Sequence, residues 1–180
     1  MQDFFSEMPT YEPSEEDIQV FDKPIPREVI KRTIQQMKQY DYKKDSVPEY
    51  PRSIVMGNVS KIDKLWKQTM SYVDGTITKK LVNSKSDILN GKVEEPPFIG
   101  FDMSDNLTFE NGRHRFANLR DSGVKTIPIL IYEDERDKFG EKGLVLPNYY
   151  LALGSLPKQR KSLSRRQSRF RSSQRLKYVK

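Results

Sequence analysis

Apolar residues return at three- and four-residue steps in three separate stretches, and then give way to short, nearly continuous apolar runs. From Arg27 onward, Val29, Ile30, Ile34 and Met37 keep helical spacing, which predicts a helix of about three turns with Pro26 just at its start, where a missing donor is harmless. A second helix is marked by Ser60 three residues before Asp63, a capping-box pattern, with Ile62, Leu65, Trp66, Thr69, Met70 and Val73 along one face. Trp66 and Met70 on that face read as core. A third helix is expected over Thr78–Asn90, with Leu81, Val82, Ile88 and Leu89 as its apolar stripe and Gly91 to end it. Between the first two helices the chain reads as loop, with one short strand at Ser53–Met56.

After Pro96 and Pro97 the period changes. PFIGFDM and LTFE read as two strands joined by the turn cluster Ser104-Asp105-Asn106. Asn111-Gly112 breaks the pattern, a helix RHRFANLRDS follows, and Gly123 closes it. Thr126–Tyr132, TIPILIY, is apolar enough to be buried on both faces, with Pro128 expected near its start rather than within the ladder. Strand, turn, strand, helix, strand predicts an α+β domain in which helices pack on a small mixed sheet. Residues 1–26, with four prolines and many acids, read as an extended acidic arm. Residues 27–156 then form a single domain, and 157–180 a basic tail.

Charge sharpens this division. The 180 residues carry 32 Lys+Arg and 25 Asp+Glu, a net +7, yet the last 24 hold 10 of the bases and no acid. Residues 1–156 are therefore slightly acidic, at net −3. In the tail, Arg165, Arg166, Arg169, Arg171 and Arg175 are interleaved with Ser, Gln and aromatic residues. That pattern suits a polyanion, with arginines for backbone phosphates and rings for exposed bases. A purely solubilising tail is the alternative. The absence of cysteine excludes disulfides, thiolate nucleophiles and Cys-ligated zinc, and one histidine excludes a His-rich metal site. No apolar run nears the roughly 20 residues of a membrane span, and the acidic start is unlike a signal peptide. A cytoplasmic protein without a membrane partner is the expectation.

The chemistry concentrates in Glu110 to Arg115, ENGRHR, where a carboxylate, a flexible turn and three basic side chains meet at a strand-to-helix junction. Backbone N–H groups at a helix start attract anions, and Gly112 lets an oxyanion approach the main chain. Arg113, His114 and Arg115 add donors for phosphate, although cations there oppose the helix macrodipole unless an anion is bound. Asn111 and Gly112 complete the phosphate cradle. Glu110 is the candidate general base or magnesium ligand, with Asp102 and Asp105 nearby as weaker metal candidates that more often form turns. Set beside this are plainer readings: Arg113 and Arg120 as helix charges paired with Glu110 or Asp121, and His114 as a packing residue. Arg115→Ala is expected to abolish nucleotide binding at no cost to core packing.

The string FENGRHRFANLRDSGVKTIPILI resembles the ParB/sulfiredoxin superfamily, whose hallmark is a strand, a G-x-[HR]-R box opening a helix, and a second strand with an Ile/Val-Pro pair. Gly112, His114, Arg115, Ala117, Leu119, Gly123, Ile127, Pro128 and Ile129 carry the match, within residues 96–132. The resemblance implies a ParB/sulfiredoxin-like fold that holds nucleotide phosphates at the box, with ATP or CTP and a divalent metal such as magnesium as cofactors. Nucleic acid, DNA above all, is the implied partner. Arg113 stands where sulfiredoxins have their catalytic cysteine, which excludes sulfinic acid reduction. It also replaces the acid typical of partition proteins. What the resemblance then implies is metal-assisted phosphoester hydrolysis, as NTPase or DNase, with Glu110, His114 and Arg115 catalytic. The alternatives are a non-catalytic DNA- or partner-binding module of the same fold and a small-molecule kinase of the serine-kinase type.

Overall fold

The computed structural model describes residues 11–42 and 50–147, all within one compact unit. The expected basic tail, with Arg165, Arg166, Arg169, Arg171 and Arg175, lies outside the described residues. Six helices and four strands follow in chain order among the described residues: α1 Glu15–Asp22, α2 Arg27–Lys38, β1 Arg52–Asn58, α3 Val59–Trp66, α4 Lys79–Leu89, β2 Phe98–Phe101, β3 Leu107–Asn111, α5 Arg113–Asp121, β4 Thr126–Tyr132 and α6 Arg136–Glu141. The class is α+β, as expected.

The sheet is mixed, in the order β1-β4-β2-β3. β4 pairs antiparallel with β1 along its whole length and parallel with β2 at Phe98 and Leu130, while β2 and β3 form an antiparallel hairpin. Ile127, Ile129 and Ile131 of β4 are fully buried, which explains why TIPILIY carries no alternation. Pro128, however, lies inside the ladder, opposite Met56. It is tolerated because Met56 turns its carbonyl away, to accept from Leu146 N–H at 3.0 Å, so the proline nitrogen faces β2, which joins β4 only two residues further on. β1 is longer than expected and buried on both faces, and the segment at Leu144–Leu146 covers its outer edge.

The N-terminal arm is not wholly extended. Ser14 and Asp17 form a capping box that starts α1, and Asp17 is buried against the next layer. There it accepts from Tyr11 Oη at 2.5 Å and Lys79 Nζ at 2.9 Å, which fastens α1 to the start of α4. Those hydrogen bonds, above all Tyr11's, hold the Asp17 carboxyl well below the usual carboxylate range.

α3 also begins differently. Strand β1 passes directly into it, so Asn58, the last strand residue, is the cap, accepting from Lys61 N–H at 3.2 Å; Ser60 is already inside the helix. The helix stops at Trp66, and Met70, expected in the core, is fully exposed at 107%. Trp66 itself is completely buried, with ring centroids 4.5 Å from Phe109, 5.0 Å from Tyr72 and 5.8 Å from Phe116. One tryptophan thus joins α3, β3 and α5 in an aromatic core, the kind of packing in which truncation typically costs about 3–5 kcal/mol. Phe116 and Leu119 are the buried face of α5, as their spacing predicts.

Candidate phosphate-binding site

The site begins with the junction between β3 and α5. Gly112 is the N-cap of α5, in the left-handed region at φ 76°, and no side chain caps the helix. A Cβ there would stand 2.9 Å from Pro97 Cα, so glycine is required by backbone conformation and by the close approach of the Pro96-Pro97 segment. Asn111 is spent on holding the turn: its Oδ1 accepts from Gly112 N–H at 2.7 Å and its Nδ2 donates to Glu95 Oε2 at 2.9 Å. It therefore shapes the cradle, with its side-chain groups already engaged, instead of offering them to a phosphate.

α5 is tied to α4 by the buried Asn118, whose Nδ2 donates to Leu81 O at 3.0 Å. That register brings the polar stripe of α4 beside the box. A cleft of 290 Å³ results, lined by Lys80, Asp87, Lys92, Gly112, His114 and Arg115 among others. A second cleft of 220 Å³ lies on the other side of His114, with Arg113, Met70, Tyr72, Asp74 and Thr76 in its walls. The three basic residues of the box are thus divided, Arg115 to the first cleft, Arg113 to the second, and His114 to both.

Their environments differ. Arg115 is part-buried and donates to the Glu95 carbonyl. Burial pulls its pKa below the ordinary value, against the opposing pull of Glu95 and Asp87, so its charge is retained in a poorly hydrated place where an anion is strongly attracted. Its loss would leave the part-buried Glu95 carbonyl without this donor, a structural cost beside the expected loss of binding. His114 has no hydrogen-bond partner among the described residues. Burial first, then Arg113 and Lys80, lower its pKa, so its imidazole is neutral at neutral pH. Arg113 makes no ion pair among the described residues, and the expected pairing with Glu110 does not form. No family model, curated protein or solved structure matches the chain.

Arg120 plays a different part. It donates to Asp63 Oδ1 (2.8 Å), Tyr72 Oη (3.0 Å), Val73 O (2.9 Å) and Asp121 Oδ1 (2.7 Å). It also lies over the Tyr72 ring at 5.2 Å. One guanidinium thereby pins the segment after α3 to α5 and builds the wall of the second cleft. The paired reading of Arg120 with Asp121 holds, with Asp63 added.

Glu110 stands apart. The register passes from Phe98 opposite Asn111 to Ile99 opposite Phe109, leaving Glu110 as the extra residue of a β-bulge. It is exposed, lines neither cleft, and instead adds its charge to the surroundings of Tyr132 and Glu135. Asp102 is a turn residue: its carboxylate accepts from the backbone of Ser104 at 2.8 Å and of Asn106 at 2.9 Å, and the Asn106 bonds above all hold its pKa low. Asp105, at φ 66°, pairs with Lys138 and Lys142. Asp102 lies beyond the Phe101–Leu107 end of the hairpin and Glu110 at the other, about 10 Å along the strand. The two metal candidates Glu110 and Asp102 therefore lie at opposite ends of the hairpin, and among the described residues no three His, Cys, Asp or Glu gather as a metal site. The donors do not fit an all-protein metal cage, and no step is assigned to one. Magnesium carried by a nucleotide's own phosphates needs no such cage.

Lys80, Asp87, Lys92 and Glu95 were missed as site residues by their pattern. Lys80, Ser84 and Asp87 do share a helix face by their steps of four and three, but an exposed polar stripe on an amphipathic helix carries no sign of what it faces. Among the described residues no helix is long and apolar enough to cross a membrane.

Proposed function

We propose that this chain is a ParB/sulfiredoxin-like nucleotide-binding protein that acts on nucleic acid, and that it holds nucleotide phosphates in the cleft between α4 and the start of α5. The observation that carries this reading is one arrangement: an uncapped helix N-terminus on a left-handed glycine, sharing a 290 Å³ cleft with Lys80, Lys92, His114 and Arg115 against the single carboxylate of Asp87. Three permanent cations and the backbone N–H groups of α5 answer the charge and geometry of a di- or triphosphate. Unfilled, the same cations repel one another and oppose the helix dipole, so an anion relieves a local conflict.

Phosphoester hydrolysis, of an NTP or a DNA backbone, is the activity proposed for the site. Glu110 is badly seated for water activation, whereas His114, neutral and lining both clefts, suits the general base. Lys80, Lys92 and Arg115 would stabilise the charge that develops on the phosphoryl oxygens. The test is incubation with ATP, CTP and plasmid DNA in Mg²⁺ or Mn²⁺, for the native chain, His114→Gln and Glu110→Gln. Phosphate release or nicking is expected to fall at least about a hundredfold in His114→Gln and to persist in Glu110→Gln. The position of Glu110 outside both clefts also favours a second reading, a non-catalytic nucleic-acid-binding module; it predicts nucleotide binding with no product in any of these assays. In either case the basic tail is proposed to add sequence-independent affinity. Ending the chain at Leu156 should then weaken DNA binding and flatten its salt dependence by about 0.9 logarithmic units for each phosphate the tail would have neutralised.

A further inference from the structure

We infer that the second cleft is the nucleoside half of the site, so that the protein selects nucleoside 5′-phosphates over bare polyphosphate. The inference rests on the phosphate reading of the first cleft. Both clefts share one wall, His114, so a ligand with phosphates on Lys80, Lys92 and Arg115 passes this side chain to enter the second. The two halves also differ in chemistry. The first is dominated by fixed cations. The second carries one fixed cation, Arg113, beside the exposed thioether of Met70, the ring of Tyr72, the hydroxyl-bearing Thr76 and Thr78, and the carboxylate of Asp74. Apolar and aromatic surface suits the face of a base, while a carboxylate suits ribose hydroxyls or an exocyclic amine. Set against the single cation Arg113, that carboxylate also makes the second cleft a poorer seat for a polyphosphate than the first.

The second cleft is also built in advance. Arg120 grips Tyr72 Oη and Val73 O. Trp66 Nε1 donates to Ser71 Oγ at 3.2 Å, and Thr69 Oγ1 donates to Trp66 O at 2.9 Å. These bonds hold the 67–73 segment around Met70 and leave that side chain in solvent. Asp74 Oδ1 accepts from Thr76 N–H at 2.9 Å, which fixes the carboxylate while a carboxylate retains further acceptor positions. A preformed wall lowers the ordering cost of binding.

Calorimetry with ATP, CTP and inorganic tripolyphosphate, on the native chain and on Asp74→Ala and Met70→Ala, tests the inference. At least one nucleotide is expected to bind about tenfold or more tightly than tripolyphosphate. Asp74→Ala should lower that nucleotide to the tripolyphosphate level, with tripolyphosphate itself unchanged or slightly tighter, which also shows that the variant is folded. Met70→Ala should lose part of the preference. Equal affinity for nucleotides and tripolyphosphate, or a preference untouched by both variants, overturns the nucleoside subsite and leaves the phosphate reading standing. If neither nucleotides nor tripolyphosphate bind the native chain, both readings fall together.

Discussion

Arg120 Nη1 donates to Asp63 Oδ1 across 2.8 Å, with the side chains only 11% and 15% exposed, joining the end of the box helix to α3. Burial opposes ionisation of Asp63, but Lys67 and Arg120 outweigh it and hold the carboxyl below its usual range. Removing Arg120 leaves Asp63 to Lys67 and Tyr72 and takes a donor from the Val73 carbonyl, so Arg120→Ala is expected to cost about 1–3 kcal/mol in urea unfolding. Because the folded carboxyl has the lower pKa, its contribution is complete above the unfolded value near 3.9 and is lost as the pH falls towards the folded one. Native stability should therefore drop more steeply below about pH 4 than that of Asp63→Asn, measured by denaturant midpoints across pH.

Gly112→Ala should be among the most damaging single-methyl additions in the chain. The left-handed conformation costs about 1–2 kcal/mol for a residue with a Cβ, and the clash with Pro97 Cα adds to it because backbone cannot swing aside. A loss of at least about 2 kcal/mol in thermal or urea unfolding, together with loss of phosphate binding, is the expected outcome.

The cations of the first cleft should separate into two kinds. Lys80 and Lys92 are exposed and their side chains bond no described residue, so their alanine variants should keep the native unfolding midpoint and weaken ATP or CTP binding about tenfold each. Arg115→Ala should lose both binding and stability, the latter by about 1–3 kcal/mol, since the Glu95 carbonyl loses its donor. Calorimetry paired with thermal unfolding reads the difference.

His114 is the only histidine, so its ring resonances can be followed by NMR without assignment. In the free protein it should titrate below the ordinary 6.5, through burial and the neighbouring Arg113 and Lys80. A phosphate bound beside it should raise that pKa. Protonation then favours binding, so affinity should increase as pH falls through the window between the bound and free values and level off on either side. An unmoved titration curve at saturating nucleotide would place the phosphate elsewhere.

What could be read from residue order was whatever local pattern decides. TIPILIY, the α4 stripe and the Gly112-to-Gly123 helix all sit where apolar spacing and glycine place them, and the box was visible as a conflict between cations and a helix start. Tertiary capture hid the rest. The periodic run from Ile62 to Val73 reads as one helix, yet Arg120, from an element some fifty residues on, takes Tyr72 and Val73 into a different structure. The prolines around α1 give that stretch an extended pattern that masks the Ser14–Asp17 capping box between them. The seat of Glu110 on a bulge was not legible, because a bulge is a property of two strands in register, and nothing in LTFEN alone specifies it.

Trp66 finally has a use that its packing role does not suggest. It is the chain's single tryptophan, fully buried, and it touches Tyr72 on one side and the α5 core ring Phe116 on the other. Its emission therefore reports from the back of the second cleft, as an intrinsic probe of whether the segment around Met70 keeps its shape when a ligand arrives.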